Sequence, residues 1–368
     1  MIVKDEIHGT IEFDALQGRI IDSEPFQRLR RIRQMSVTNL VYPGANHTRF
    51  EHSLGTAHLS EVMGRRLGLG KDDLGKVKLY GLLHDIGHTP FSHEGEDVVR
   101  KHIGDHEELG KKKITGGEIA DILSENYDPK EIAAVGESPY GGIIASDLGA
   151  DRMDYLKRDA LNTGVAYGVI DIDRLVHTLS LREGGLCVEK GGLEAAENML
   201  LARFMMFSTV YLHRTVRIAT AMLYRAIEGA IEDDTIDPRS FADMDDEGAL
   251  SAISESGKGG PFAKALRARK LFKEVGSFPR AGWSEERARV LEQTLGKKFG
   301  RKILVDYPHP FFKPVGLRVH MDGGLRPMTE VSMLVRSLKG AEEERMRVLV
   351  LAQEDLRERS PKIMEAIG

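Results

Sequence analysis

Eight of the 13 histidines, His47, His52, His58, His84, His88, His93, His102 and His106, fall in one short window of the 368-residue chain. The same window carries helical apolar spacing over 49–68, 73–86 and 94–102. Imidazole is a common metal ligand and the one unperturbed side chain that titrates near neutrality. Concentrating it on successive helices calls for a fold that turns several helix faces toward one point, which a helical bundle supplies.

Apolar spacing organises the rest. Ile2, Val3 and Ile7, then Ile11 and Phe13, flank His8-Gly9-Thr10 and predict a hairpin with glycine at the turn. Pro25, behind a cap at Asp22 or Ser23, opens a helix carrying Phe26, Leu29, Ile32 and Met35. After a loop at Tyr42-Pro43-Gly44-Ala45-Asn46, helical spacing also covers 116–126, 144–161 and 194–231. Residues 232–260 are acidic and glycine-rich and read as surface loops around short helices. Toward the C-terminus 303–305, 317–320 and 348–351 read as strands, with helices at 328–338 and 353–367. The expected architecture is mainly α: a helical core with the hairpin over 1–230, a helical and loop extension over 231–300, and a small α+β subdomain over 301–368.

A net charge of −5 argues against a dedicated nucleic-acid binder. No apolar run reaches the roughly 18–20 residues of a membrane span, and Met1-Ile2-Val3-Lys4-Asp5 opens no secretory segment. The single cysteine, Cys187, forbids an intrachain disulfide and fits a reducing, cytoplasmic setting; between Leu186 and Val188 it reads as a small buried hydrophobe. The chemistry-bearing set is His52 in Arg49-Phe50-Glu51-His52-Ser53, adjacent His84-Asp85, and Asp151 in Asp151-Arg152-Met153-Asp154-Tyr155. Two imidazoles and two carboxylates form a mixed donor set for a divalent Mn, Fe, Ni, Zn or Mg ion, with positions left for water and phosphate oxygens.

The chain resembles the HD-domain phosphohydrolases, in their deoxynucleoside-triphosphate triphosphohydrolase-like branch. The resemblance runs from His8 to Gly164, through Ile7-His8-Gly9-Thr10-Ile11-Glu12, Arg49-Phe50-Glu51-His52-Ser53-Leu54-Gly55, Leu83-His84-Asp85-Ile86-Gly87-His88, Pro90-Phe91-Ser92-His93, His106-Glu107 and Asp151-Arg152-Met153-Asp154-Tyr155 to Arg158-Asp159. It implies an HD-domain helical core, with His52, His84, Asp85 and Asp151 on the metal and Arg49 on the α-phosphate. It also implies a catalytic cluster of His88, His106 and Glu107, with His88 donating a proton to the leaving oxygen, and His93 on the substrate phosphates. Gln34, Tyr155 and Asp159 match the sugar pocket; Arg152 stands where the family has lysine, and Met35 where it has leucine. Asp22, Gln27 and Arg30 match an activating-nucleotide site of regulated members, although Arg30 with Asp22 equally reads as a salt bridge.

The implied partners are a nucleotide substrate, a dNTP first, an activating nucleotide and further copies of the chain as a dimer or tetramer, with no membrane and no nucleic acid. One stretch departs from the pattern. His213-Arg214 aligns, but the Arg, Tyr and His expected around it are Thr209, Arg217 and Ala219, which leaves phosphate-chain length and base preference open. The competing readings are an HD phosphohydrolase acting on a nucleoside monophosphate or cyclic nucleotide, and a low-turnover nucleotide-sensing scaffold. His47, His58 and His102, claimed by no motif, read as structural.

Overall fold

A computed structural model of the chain describes residues 1–300, 302–309 and 315–367. It is mainly helical, with the N-terminal hairpin and a C-terminal α+β region, and falls into two compact units. The first comprises 1–206, 238–247 and 314–336; the second comprises 207–237, 248–313 and 337–368.

In the first unit, strands Ile2–Asp5 and Gly9–Glu12 pair antiparallel. The helices that matter for the site follow: Arg49–Arg66, Lys71–Leu83, Ser92–Ile103, His106–Ile114 and Ala150–Thr163. Each end has a local cause. Thr48 and Glu51 form a capping box at the first, Asp105 caps the His106–Ile114 helix by accepting from Glu108 N–H, and Gly164 at φ 74° closes Ala150–Thr163 in the left-handed region. Their inner faces and the N-terminal segment share one core, with Ile11, Phe13, Ile20, Ile21, Phe26, Leu29 and Ile32 packed with Phe50, Leu54, Leu79 and Leu82.

The helix expected from Pro25 through Met35 ends early. A short Glu24–Gln27 helix gives way to a 3-10 turn over Arg28–Arg31, and Ile32 is extended at φ −116°, ψ 110°. Arg33 forms a bridge with Thr48, and Ile32 C=O accepts from Arg49 N–H. Phe26, Leu29, Ile32 and Met35 are nevertheless all buried, so the apolar spacing marked the core correctly and the geometry incorrectly.

The three expected late strands exist, as Ile303–Asp306, Arg318–Met321 and Arg347–Ala352, but in two sheets. Arg318–Met321 lies between Gly185–Glu189, which it pairs in parallel, and Gly324–Pro327 in a four-stranded sheet of the first unit begun by Leu179–Arg182. In the second unit Arg347–Ala352 runs between Lys273–Pro279 and Ile303–Asp306, antiparallel to both. Leu295, Ile303, Val348, Val350 and Ile363 form that unit's core. Among the described residues no helix is long and apolar enough to cross a membrane.

Candidate active site

Four side chains converge where the Arg49–Arg66, Lys71–Leu83 and Ala150–Thr163 helices meet. His52 is fully buried, with Nε2 at 3.0 Å from Asp151 Oδ1 and 3.6 Å from Asp85 Oδ2. His84 Nε2 lies 3.3 Å from Asp85 Oδ1 and 3.8 Å from Asp151 Oδ1. One ligand atom each from His52, His84 and Asp85 falls within 4.8 Å of the others. Both Nε2 atoms are buried without a hydrogen-bond partner. Their Nδ1 atoms are engaged from behind, His52 with Asp154 Oδ2 at 2.8 Å and His84 with Gly81 C=O at 2.8 Å. Such backing fixes the tautomer that leaves Nε2 as a lone pair, so two aimed imidazoles and two carboxylate oxygens fit a divalent cation.

Burial works to lower the pKa of His52, yet the Asp151 carboxylate 3.0 Å from Nε2, the hydrogen bond to Asp154 and the charge of Asp85 push it up to about 10. Burial likewise opposes ionisation of Asp85, and Arg49, His84 and His88 overcome it, holding the carboxyl well below its usual range. The site thus binds a proton where it would bind a metal, and the two compete.

Behind His52, Asp154 also takes His8 Nε2 at 2.7 Å and the Arg158 guanidinium at 2.8 and 3.0 Å. Arg158 continues to Asp5 Oδ2 at 2.9 Å. This largely buried chain links the N-terminal hairpin to the candidate ligand His52, and the sequence reading gave Asp154, Arg158, His8 and Asp5 no part in the site. The only available signal was the three-residue spacing of Asp151 and Asp154 on one helix.

On the phosphate side, buried Arg49 donates from Nη1 to Asp85 Oδ2 at 2.7 Å and from Nε to Ser92 Oγ at 2.9 Å. His88 stacks on His106 with centroids 4.2 Å apart and planes 9° apart, and meets His93 edge-on at 4.8 Å. The carboxylate among these rings is Glu96, which the sequence reading passed over. It is 2.7 Å from His106 Nδ1, 3.8 Å from His93 Nδ1 and 4.0 Å from His88 Nδ1. Glu107 is exposed on the first turn of the His106–Ile114 helix. Burial, reinforced by the charges of Arg49 and His106, holds His88 well below its ordinary value despite Asp85 at 3.2 Å. His106 goes the other way: burial lowers it, but Glu96 raises it further.

Asp151, Tyr155 and Asp159 lie at successive four-residue steps along one helix face. Burial pushes Tyr155 up to about 12. Asp159 is buried against His47, whose Nε2 is 2.7 Å from its Oδ1. His47 Nδ1 and Gln34 Oε1 are buried without a partner, and Gln34 N–H donates to His47 C=O. Arg152 forms an ion pair with Asp147. At the residues matched to an activator, Arg30 donates to Gln27 Oε1 at 2.8 Å and lies 3.5 Å over the Phe50 ring, while Asp22 is exposed. Arg30 is therefore held by Gln27 and an aromatic face, where a salt bridge to Asp22 was the alternative.

Helices carrying a buried His, His-Asp, Asp donor set with an arginine beside it define a metal-dependent phosphohydrolase of the HD class. The family models agree, one described as HD domain matching residues 49–159 and one described as HD associated region matching 170–367. The chain is 36% identical over 374 residues to an uncharacterized protein of Methanocaldococcus jannaschii, covering 96% of this chain and 79% of that one. It is 29% identical over 308 residues to the deoxynucleoside triphosphate triphosphohydrolase SAMHD1 homolog of Dictyostelium discoideum, covering 74% of this chain and 60% of that one. A crystal structure of a hypothetical protein from Aquifex aeolicus superposes with a TM-score of 0.84 at 31% identity, covering 99% of each chain. The chain belongs to the HD-domain phosphohydrolase family, on the side of its dNTPase-like members.

Proposed function

We propose that the protein hydrolyses deoxynucleoside triphosphates at the α-phosphate, releasing a deoxynucleoside and tripolyphosphate. The observation that carries this reading is the set of polar groups that follows Asp151 along its helix. Tyr155 and Asp159 lie at four-residue steps from Asp151, Asp159 is paired with buried His47, and the buried Gln34 Oε1, whose backbone N–H donates to His47 C=O, has no partner. Buried acceptors without donors favour a ligand that brings a hydroxyl, and they disfavour one that lacks it. Tyr155, one turn from both Asp151 and Asp159 on the same helix, is the bulky side chain assigned to limit the room for a second hydroxyl on the sugar.

His52, His84, Asp85 and Asp151 would hold the cation, which supplies polarisation of a phosphoryl oxygen and activation of water when bound. Arg49, pinned by Asp85 and Ser92, offers a planar set of donors to the α-phosphate. In the stacked pair, His106 holds a proton against Glu96 while His88 is kept neutral, so the two offer a donor and an acceptor side by side. Of the two, His106 is the readier proton donor to the leaving oxygen and His88 the readier acceptor. His93, whose side chain is 64% exposed, reaches outward for the remaining phosphates, and Arg152 adds positive charge beside Asp151.

Chromatography of products from the purified chain, loaded in turn with Mn, Fe, Ni, Zn or Mg and given each dNTP and rNTP, tests this. Deoxynucleoside plus tripolyphosphate is expected, with ribonucleotides cut more slowly. Orthophosphate or nucleoside monophosphate as product overturns the α-phosphate cut. One observation favours a second reading, hydrolysis of a phosphoester with fewer phosphates. Arg217, in the stretch that departs from the family, is committed to Asp306 at 2.5 Å and to Arg347 C=O. Equal cleavage of a nucleoside monophosphate or cyclic nucleotide would establish that reading.

A further inference from the structure

Asp246 lies far outside the stretch matched by the HD domain, in the acidic segment that the sequence reads as surface loop. It is 2% exposed. Its two oxygens hold two different loops: Oδ1 accepts from Phe91 N–H at 2.8 Å and Oδ2 from Arg33 N–H at 3.0 Å. Both loops touch Ser92. The Ser92 hydroxyl donates to Arg33 C=O at 2.7 Å and accepts from Arg49 Nε at 2.9 Å. Phe91 and Ser92 sit at φ 62° and 57°, in the left-handed region that non-glycine residues occupy only when their surroundings impose it. The backbone leading to Asp246 is held in turn by Arg28, whose guanidinium donates to the carbonyls of Ala242, Asp243 and Met244 and to that of His88.

We propose that Asp246 is a positioning residue for phosphate recognition: by clamping Phe91 and Arg33 it sets the Ser92 hydroxyl, and through Ser92 it aims the Arg49 guanidinium. The proposal rests on the reading of Arg49 as the phosphate contact. Arg49 has a fork of donors but a flexible stem, so its value to an anion depends on what fixes the stem. Asp85 holds one end of the fork and Ser92 the other, and Ser92 stays in its strained conformation only while Phe91 N–H and Arg33 are held. The same turn leads into His93 and follows His88, so one buried carboxylate supports both flanks of the phosphate side. A carboxylate suits this post because both of its oxygens accept; an amide would set an N–H against one of the two donors.

The test is calorimetric binding of inorganic tripolyphosphate to the Mn-loaded 368-residue chain, for the unmutated protein, Asp246→Asn, Ser92→Ala and the double variant. Each single change is expected to weaken binding about tenfold, the range of one charge-assisted hydrogen bond. The double variant is expected to match either single one, because both cut the same chain of contacts. Bound metal per chain stays unchanged throughout, which a general loosening of the unit would not allow. Wild-type affinity in Asp246→Asn, or losses that multiply in the double variant, overturn the proposal. Hydrogen exchange on the unmutated chain is independent of how the variants fold: the Phe91 and Arg33 amides are expected to be strongly protected, and exchange at the rate of open loop amides refutes the clamp. An unmutated chain that binds tripolyphosphate yet cleaves no dNTP removes the substrate assignment and leaves this proposal standing. Asp246→Asn with wild-type affinity does the reverse.

Discussion

Asp154 binds no substrate and no metal in this reading, yet it is the most heavily used carboxylate of the site. It orients His52, takes His8 and compensates the fully buried Arg158. Asp154→Asn removes the charge and leaves Arg158 with Asp5 at 2.9 Å and the more distant Glu6 at 3.9 Å. Metal affinity is expected to fall about 10–100-fold, as for other partners behind a ligand, and stability by about 3–5 kcal/mol for a broken buried pair; titration calorimetry and urea unfolding read the two separately. Undiminished metal affinity would show that His52 needs no such backing. Glu96 gives a prediction in pH. Burial opposes its ionisation, but the hydrogen bond from His106 and the nearby His93 imidazole hold it far below the carboxylate range, and the same pairing raises His106. The depressed acid contributes fully above about pH 4.3 and loses its contribution as pH falls; the raised base contributes fully below about pH 6.5 and loses its contribution as pH rises through the higher folded value. Glu96→Gln should therefore lower Tm most at about pH 5–6, with the gap to wild type narrowing as pH falls progressively below about 4.3 and as it rises above about 6.5. A gap independent of pH would rule out the ion pair. In the sequence Asp151 and Asp154, like His93 and Glu96, are three residues apart on one helix, and spacing alone does not separate a ligand from the group that orients it. Asp246 had no signal at all, since its two partners lie 155 and 213 positions away in the chain.

Helix contacts at the site are closer than side chains permit. At Gly55, on the turn after His52, a Cβ would fall 1.9 Å from Asp154 Oδ1 and 2.6 Å from Arg158 Nη2. Gly55→Ala must push the Arg49–Arg66 and Ala150–Thr163 helices apart or displace the carboxylate that holds His52. A loss of at least about 1–3 kcal/mol is expected, the usual cost of overpacking, together with weaker metal binding. Gly296 is the contrast: it lies inside the Glu285–Phe299 helix with nothing within 4 Å of an added Cβ, so Gly296→Ala should stabilise by about 0.5–1 kcal/mol. Denaturant melts that rank the two the other way would refute the packing argument. Periodicity exposed helices such as Ser92–Ile103, which bury one face, whereas Arg49–Arg66 is buried on most sides. Periodicity misread 26–35, where buried side chains at helical intervals come from a 3-10 turn and an extended Ile32. It also passed over the Leu179–Arg182 and Gly185–Glu189 hairpin, although Glu183 and Gly184, both at positive φ, form its turn. Sheet membership was beyond sequence altogether: the partners of Arg318–Met321 include a strand more than a hundred residues earlier.

At the scale of the first unit, the stretch matched by the HD domain, 49–159, contains every proposed metal ligand and still does not contain the whole candidate site. Asp5 and His8 enter from the hairpin, Arg28 and Arg33 from the segment after it, and Asp246 from the HD-associated region. The core divides the same way. Ile11, Phe13, Ile20, Ile21, Phe26, Leu29 and Ile32 are buried against the HD helices. At about 1.5–3 kcal/mol for each fully buried side chain, their loss equals or exceeds the roughly 5–15 kcal/mol by which a domain is usually stable. The isolated 49–159 fragment should therefore melt without a cooperative transition and bind Mn at least about 100-fold more weakly than the full chain, the upper range for losing partners behind ligands, despite keeping His52, His84, Asp85 and Asp151. Circular dichroism melts and metal titration of the two polypeptides decide it. A fragment that unfolds cooperatively and holds Mn as tightly as the full chain would mean that the four ligands and their own helices suffice, and that the buried network reaching to Asp5 and Asp246 is dispensable for the metal.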